Sequence, residues 1–209
     1  MKKLIIAGFV VIFVLAIAIQ PTNAQDGAMQ FGVKGGLNLS NLSLDPDPSG
    51  LSLDLATNFG VGGIMLYPLS DVLDLQVEVL YLLKGSKLKF DILGETFEGD
   101  IDYAYLSVPV MGRYKLGSGD ADMTPYVVAG PEFGFLLSAD SEFAGISEDV
   151  KDETKSIDLG FNVGVGMTMN NMFGEVRYSL GLIDINDDAD DPDTSIKTNG
   201  IQAFVGMMF

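Results

Sequence analysis

The residues from Ile157 to Met169 alternate without an error for 13 positions. Ile157, Leu159, Phe161, Val163, Val165, Met167 and Met169 form one series, and Asp158, Gly160, Asn162, Gly164, Gly166 and Thr168 form the other. Successive side chains of a β-strand point to opposite faces, so this run is a strand with two chemically distinct sides. The second side decides its setting. A strand of a soluble sandwich would turn Lys, Glu and Thr to water, whereas this side is mostly glycine with a few polar groups. Large apolar residues facing lipid and small or polar ones facing a narrow interior describe a transmembrane barrel.

Further alternating segments follow the same rule. Met29–Ser40 sets Phe31, Val33, Leu37 and Leu39 against Gln30, Lys34, Asn38 and Ser40. Thr57–Tyr67 turns Phe59, Val61, Met65 and Tyr67 outward. From Leu73, the residues Leu75, Val77, Val79 and Tyr81 oppose Asp74, Gln76 and Glu78. A fourth segment opposes Leu106, Val108, Val110 and Tyr114 to Ser107 and Arg113. Pro125–Leu137, Met172–Leu182 and Thr198–Phe209 complete the set. The expected fold is all-β, an eight-stranded antiparallel up-and-down transmembrane β-barrel, closed because lipid cannot satisfy an open strand edge. Tight connections at Pro68–Val72 and Asn170-Asn171 alternate with long segments 41–56, 85–100, 139–156 and 183–197. The second long segment also reads as an extension of its flanking strands, since Leu88, Phe90, Ile92, Phe97 and Ile101 partly alternate around Gly94. Pro109 and Pro131 fall inside strands without an edge and predict local bulges.

The N-terminus reads differently. Lys2 and Lys3 precede 16 apolar or small residues, Leu4–Ile19, and Pro21 and Thr22-Asn23-Ala24 follow. Residues 1–24 are therefore expected to be a secretory signal peptide, leaving 25–209 as one outer-membrane barrel domain. Removing them takes away two lysines and no acid, so the net charge moves from −17 to −19. That balance argues against nucleic-acid binding. With no cysteine, the exported chain has no disulfide framework.

The absence of histidine removes the usual general base and the commonest transition-metal ligand, so the chain reads as no enzyme, with no cofactor and no metal site. Charges of both signs face inward instead: Lys34, Arg113 and Arg177 with Asp74, Glu78, Glu132, Asp158 and Glu175. An eight-stranded barrel has just enough room for its own side chains, so these ions predict a salt-bridged plug. A gated ion path or a carboxylate site is the sharper alternative. The acids of 183–197 open like a calcium loop, with oxygen ligands at Asp184, Asn186, Asp188 and Asp190. The pattern then fails at Ala189, where glycine should turn the chain, and at Ser195, where glutamate should close the shell. A solvated acidic loop, at most bridged weakly to lipopolysaccharide by divalent ions, is the plainer expectation.

Four segments carry a family resemblance. Phe31-Gly-Val-Lys-Gly-Gly-Leu-Asn-Leu-Ser-Asn-Leu42, Tyr105-Leu-Ser-Val-Pro-Val-Met-Gly-Arg-Tyr114, Pro125-Tyr-Val-Val-Ala-Gly-Pro-Glu-Phe-Gly134 and Glu175-Val-Arg-Tyr-Ser-Leu-Gly-Leu182 resemble the PorT-like outer-membrane β-barrel proteins of Bacteroidetes-type bacteria. The resemblance covers nearly all of the mature chain. It implies an outer-membrane location and, through one named member, an accessory task in protein secretion. Terminal Phe209, after Met207, Val205, Ala203 and Ile201, resembles the signal read by the barrel-assembly machinery. Expected partners are outer-membrane lipid and lipopolysaccharide, that machinery during insertion, and a surface protein or ligand at the acidic loops. A structural or interaction role follows, with a secretion accessory or narrow channel as alternatives.

Overall fold

The computed structural model describes residues 29–45, 51–92, 95–117, 123–143, 146–187 and 194–209. The expected signal peptide lies outside these residues. The elements run β1 (Gln30–Asp45), β2 (Leu51–Pro68), β3 (Leu73–Ile92), β4 (Glu95–Lys115), β5 (Met123–Phe143), β6 (Ile146–Asp149), a 3-10 turn (Lys151–Glu153), β7 (Ile157–Met169), β8 (Met172–Gly181) and β9 (Ser195–Met208). Each long strand pairs antiparallel with its sequence neighbours, β1 pairs β9, and β4 pairs β5, so the sheet closes into a ring. Eight strands make the wall, and β6 extends β5 beyond it.

The period-2 reading places the faces correctly. Leu37, Phe59, Val61, Tyr81, Phe133, Phe161, Val165, Val176, Tyr178 and Val205 are exposed, Val205 by 67%. An apolar exterior of this extent suits hydrocarbon, not water. The segments 41–56 and 85–100 are not chiefly loops. β1 reaches Asp45, β2 starts at Leu51, and β3 and β4 run to Ile92 and from Glu95, as the weak alternation around Gly94 suggested. The barrel thus projects strands beyond its membrane belt on the long-loop side. On the other side, the Asn170-Asn171 turn places Asn170 at φ 54, a left-handed conformation that asparagine tolerates well.

The prolines correct one expectation. Neither causes a bulge: the β4–β5 ladder runs Pro109↔Glu132, omits Val110 and Met111 against Gly130 and Pro131, and resumes at Gly112↔Ala129 in unchanged register. The β3–β4 ladder likewise skips from Val77↔Val110 to Leu80↔Ser107 without a shift. Proline lacks the N–H that a ladder bond needs, but a closed ring tolerates the interruption because flanking pairs hold the register. The real register shifts lie higher, at Leu55/Gly60 in β2 and opposite Ala104/Tyr105 of β4.

Candidate functional site

The charged interior is the candidate site, and it is built by alternation. β3 sends Asp74, Gln76, Glu78, Leu80, Leu82 and Lys84 inward, and β8 sends Glu175 and Arg177. Lys34, Arg113, Glu132 and Asp158 join them from β1, β4, β5 and β7, so all eight inward charges expected from sequence are buried. Two cations are missed, Lys115 at the edge beside Asp74 and the buried Lys84. Lys84 occupies the same inward series as Glu78, past two inward leucines, and continuing the count through Leu80 and Leu82 finds it.

At the centre lies a tetrad of two cations and two anions. Lys34 Nζ lies 2.7 Å from Glu78 Oε1 and 3.1 Å from Glu175 Oε1. Arg177 Nη1 lies 2.9 Å from Glu78 Oε2 and 3.4 Å from Glu175 Oε1. Neutral groups occupy much of the remaining hydrogen-bonding capacity. Gln76 Nε2 donates to Glu78 at 2.6 Å and Glu175 at 3.1 Å, Tyr126 donates to Glu175 at 3.3 Å, and Arg177 Nε donates to Gln202 at 2.6 Å. A buried ion pair survives only with such support, because desolvation of each ion costs several kcal/mol.

Above the tetrad, Lys84 lies 3.0 Å from both Glu132 and Asp158, while Asn162 donates to Glu132 and Thr198 to Asp158. Below it, Asp74 takes Lys115 at 3.0 Å and not its direct cross-strand neighbour Arg113. Arg113 instead reaches Thr168 and stacks on the Tyr126 ring at 3.7 Å. Aromatic faces also receive Lys34, over Phe204 at 4.2 Å, and Arg177, over Phe204 at 4.9 Å. Counting Lys84 and Lys115, five cations face Asp74, Glu78, Glu132, Asp158 and Glu175, so the inward charges among the described residues balance.

Apolar clusters lie towards both ends. Ile64, Leu66, Phe173 and Met208 cluster on the turn side, and Leu42, Tyr103, Tyr105, Leu136, Ala139 and Ile185 on the long-loop side. Beside Lys84 lies a gap too thin to hold a water molecule, lined by Asn38, Ser40, Ser179, Thr198 and Gln202. Among the described residues, the arrangement brings buried charges of both signs into mutual contact along the barrel interior.

Outside the belt, Asp184 organises the fourth long segment. Its Oδ1 accepts the Asn186 and Ile196 N–H groups at 3.0 and 2.8 Å, and its Oδ2 accepts Lys155 at 2.9 Å. Partial burial opposes ionisation, but these hydrogen bonds, led by that from Ile196, outweigh it and hold the carboxyl below its ordinary range. A depressed carboxylate contributes stability that is fully present above its unfolded pKa and is lost progressively as pH falls from there through the folded one. The Asn186 and Ile196 amide resonances are therefore expected to stay put down to the ordinary aspartate range and to move only below it, in an NMR titration in nanodiscs. A midpoint above that range would refute the assignment. The rest of the calcium-like pattern, from Asp188 to Asp193, lies outside the described residues. Phe209 ends the chain beside β1, its N–H donating to Phe31 O at 2.8 Å.

A closed antiparallel ring, apolar outside and charged within, defines a transmembrane β-barrel of the outer membrane. The chain belongs to the outer membrane protein beta-barrel domain family, whose model matches residues 23–187. Solved structures similar to it include Neisserial surface protein A, at 16% identity over 87% of this chain and 99% of that one, with a TM-score of 0.48. The attachment invasion locus protein Ail of Yersinia pestis is similar at 15% identity over 88% and 100%, TM-score 0.45. OprG of Pseudomonas aeruginosa is similar at 15% identity over 88% and 97%, TM-score 0.49. No curated protein matches the sequence.

Proposed function

We propose that this outer-membrane barrel is a closed-lumen surface protein whose work is done by the acidic rim above the membrane belt, in contact with partners outside the cell. The observation that carries this reading is a row of like charges on the outer face of the strand extensions. Asp100 lies opposite Glu142, and Asp140 lies between Asp102 and Asp149 in the β4–β5–β6 ladder. Asp100 also faces Lys87 of β3, but Asp102, Asp140 and Asp149 have only one another in the row. Like charges directly opposite destabilise a sheet, so this run costs stability that a surface task explains. Partial burial, joined by repulsion from Asp100 and Asp140, raises the Asp102 pKa against an opposing hydrogen bond from Asn58. The partner chemistry that fits is cationic: a basic protein surface, or lipopolysaccharide phosphates bridged through divalent ions.

The reading gives the protein no catalytic activity. Two outcomes follow for a rim variant combining Asp102→Asn and Asp140→Asn. It gains stability, by about 0.5 kcal/mol or less per relieved pair because exposed charges are screened. It also loses what co-purifies with the native protein after cross-linking on intact cells. Unchanged co-purification, or a steady conductance of the native barrel in planar bilayers, sinks the proposal.

A second reading is favoured by the PorT-like pattern of Phe31–Leu42 and Tyr105–Tyr114: an accessory part in protein secretion. A deletion strain with normal secretion of surface proteins refutes it.

A further inference from the structure

Ile185 lies between Asp184 and Asn186 in an acidic connection, yet it is only 1% exposed. It packs into a cup of Leu42, Tyr103, Tyr105, Leu136 and Ala139, edged by Leu53, Ile101, Val150 and Ile196. The cup is a product of the register shift in β5. Tyr105 pairs Leu136 and Ala104 pairs Ser138, so Leu137 is the extra residue and both Leu136 and Ala139 turn inward. A bulge re-aims side chains in this way, and here it opens an apolar space above the Lys84 group.

The segment that carries Ile185 is held like a short added strand. Lys155 N–H donates to Ile185 O at 2.8 Å, Ile185 N–H to Ile196 O at 2.8 Å, and Asp187 N–H to Glu153 O at 2.9 Å. Thr154 and Asn186 form an isolated antiparallel bridge. The Lys155–Asp184 ion pair closes the clasp at 2.9 Å, its side chains 42% and 34% exposed.

We propose that residues 184–187 form a latched extracellular stopper, with Ile185 as the bung and the contacts to Thr154 and Lys155 as the latch. Releasing the latch admits water to the Tyr103–Tyr105 cup while the tetrad beneath stays shut. The inference rests on the closed-lumen reading above. The other sealing side chains belong to the long strands of the wall, paired on both sides. This one has no continuous ladder: it is held by a few backbone bonds, the hydrogen bonds of the Asp184 and Asn186 side chains and a solvent-facing ion pair, which places it below the strand wall in local stability.

The chain has no cysteine, so a single introduced thiol reports on the cup. Leu42→Cys, or Ala139→Cys where the first does not assemble, is treated with a membrane-impermeant maleimide on intact cells. The thiol is expected to be protected in an otherwise native barrel and with Ile185→Leu. It labels about tenfold faster or more with Ile185→Ser, and with Asp184→Asn combined with Lys155→Gln, as expected for local opening. Equal labelling with and without Ile185, or rapid labelling of the native barrel, overturns the stopper. Bilayer conductance separates the two ideas: an Ile185→Ser barrel that conducts steadily refutes the plug, whereas unchanged labelling in a closed barrel refutes the stopper alone.

Discussion

Replacing Arg177 by methionine is expected to cost about 3–5 kcal/mol, because breaking a buried ion group strands the charge left behind. Among the described residues, Glu78 and Glu175 would then share Lys34 as their one close cation, and Gln202 would lose the donor now 2.6 Å from its oxygen. Methionine conserves most of the volume over Phe204, so the loss reports charge more than packing. The comparison that makes the result specific removes one ion of each sign. Arg177→Met with Glu175→Gln leaves Lys34 and Glu78 paired at 2.7 Å and a neutral centre, and it should cost less than the single substitution. Urea unfolding from phospholipid vesicles measures both, and the coupling between the sites is the test. A single variant within about 1 kcal/mol of the native barrel, well below that penalty, would mean that pairing in the lumen does not hold it together.

Gly166→Ala is expected to be nearly as damaging, at about 3 kcal/mol, the upper end for overpacking a filled interior. A Cβ built there meets Tyr126 Cζ at 2.2 Å and its hydroxyl oxygen at 2.4 Å. Tyr126 cannot give way easily, since Arg113 lies over its ring at 3.7 Å and its hydroxyl donates to Glu175. Gly164 is in the same position against Arg177, whose Cβ would lie at 2.5 Å. Gly174 supplies the control: nothing lies within 4 Å of its added Cβ, so Gly174→Ala should leave heat-dependent gel mobility and stability unchanged. Equal effects at Gly166 and Gly174 would show that the inward glycines are not making room for the plug.

These two results connect the alternating run of 157–169 to the charged interior. Its faces could be read from the chain because a strand's period is local: every second residue shares a side, whatever the strand pairs with. The same rule placed Lys34, Glu78, Glu132, Asp158, Glu175 and Arg177 inside. Lys84 escaped because two inward leucines interrupt the charged series of β3, although the alternation itself continues. Ile185 escaped because an acidic segment reads as solvated. Its faint signal is the Ile183, Ile185 alternation continuing past the end of β8. The prolines misled in the opposite sense, since a missing N–H suggests a bulge when a strand is considered alone and only a gap when both neighbours hold the register.

By itself the sequence determined that the chain is a membrane-spanning antiparallel barrel, and which residues face lipid and which the lumen. Those properties follow from local geometry and from the solvent that each face requires. Which charges meet was decided only by tertiary structure. Lys34 pairs across 44 residues with Glu78 and across 141 with Glu175. Asp74 turns from Arg113 to Lys115. Ile185 drops into a cup made by one bulged residue. Each depends on the register at which the ring closes, since register sets the height of every inward side chain along the axis. An alternating pattern is unchanged by a slip of two residues along the partner strand, so it carries no record of that height.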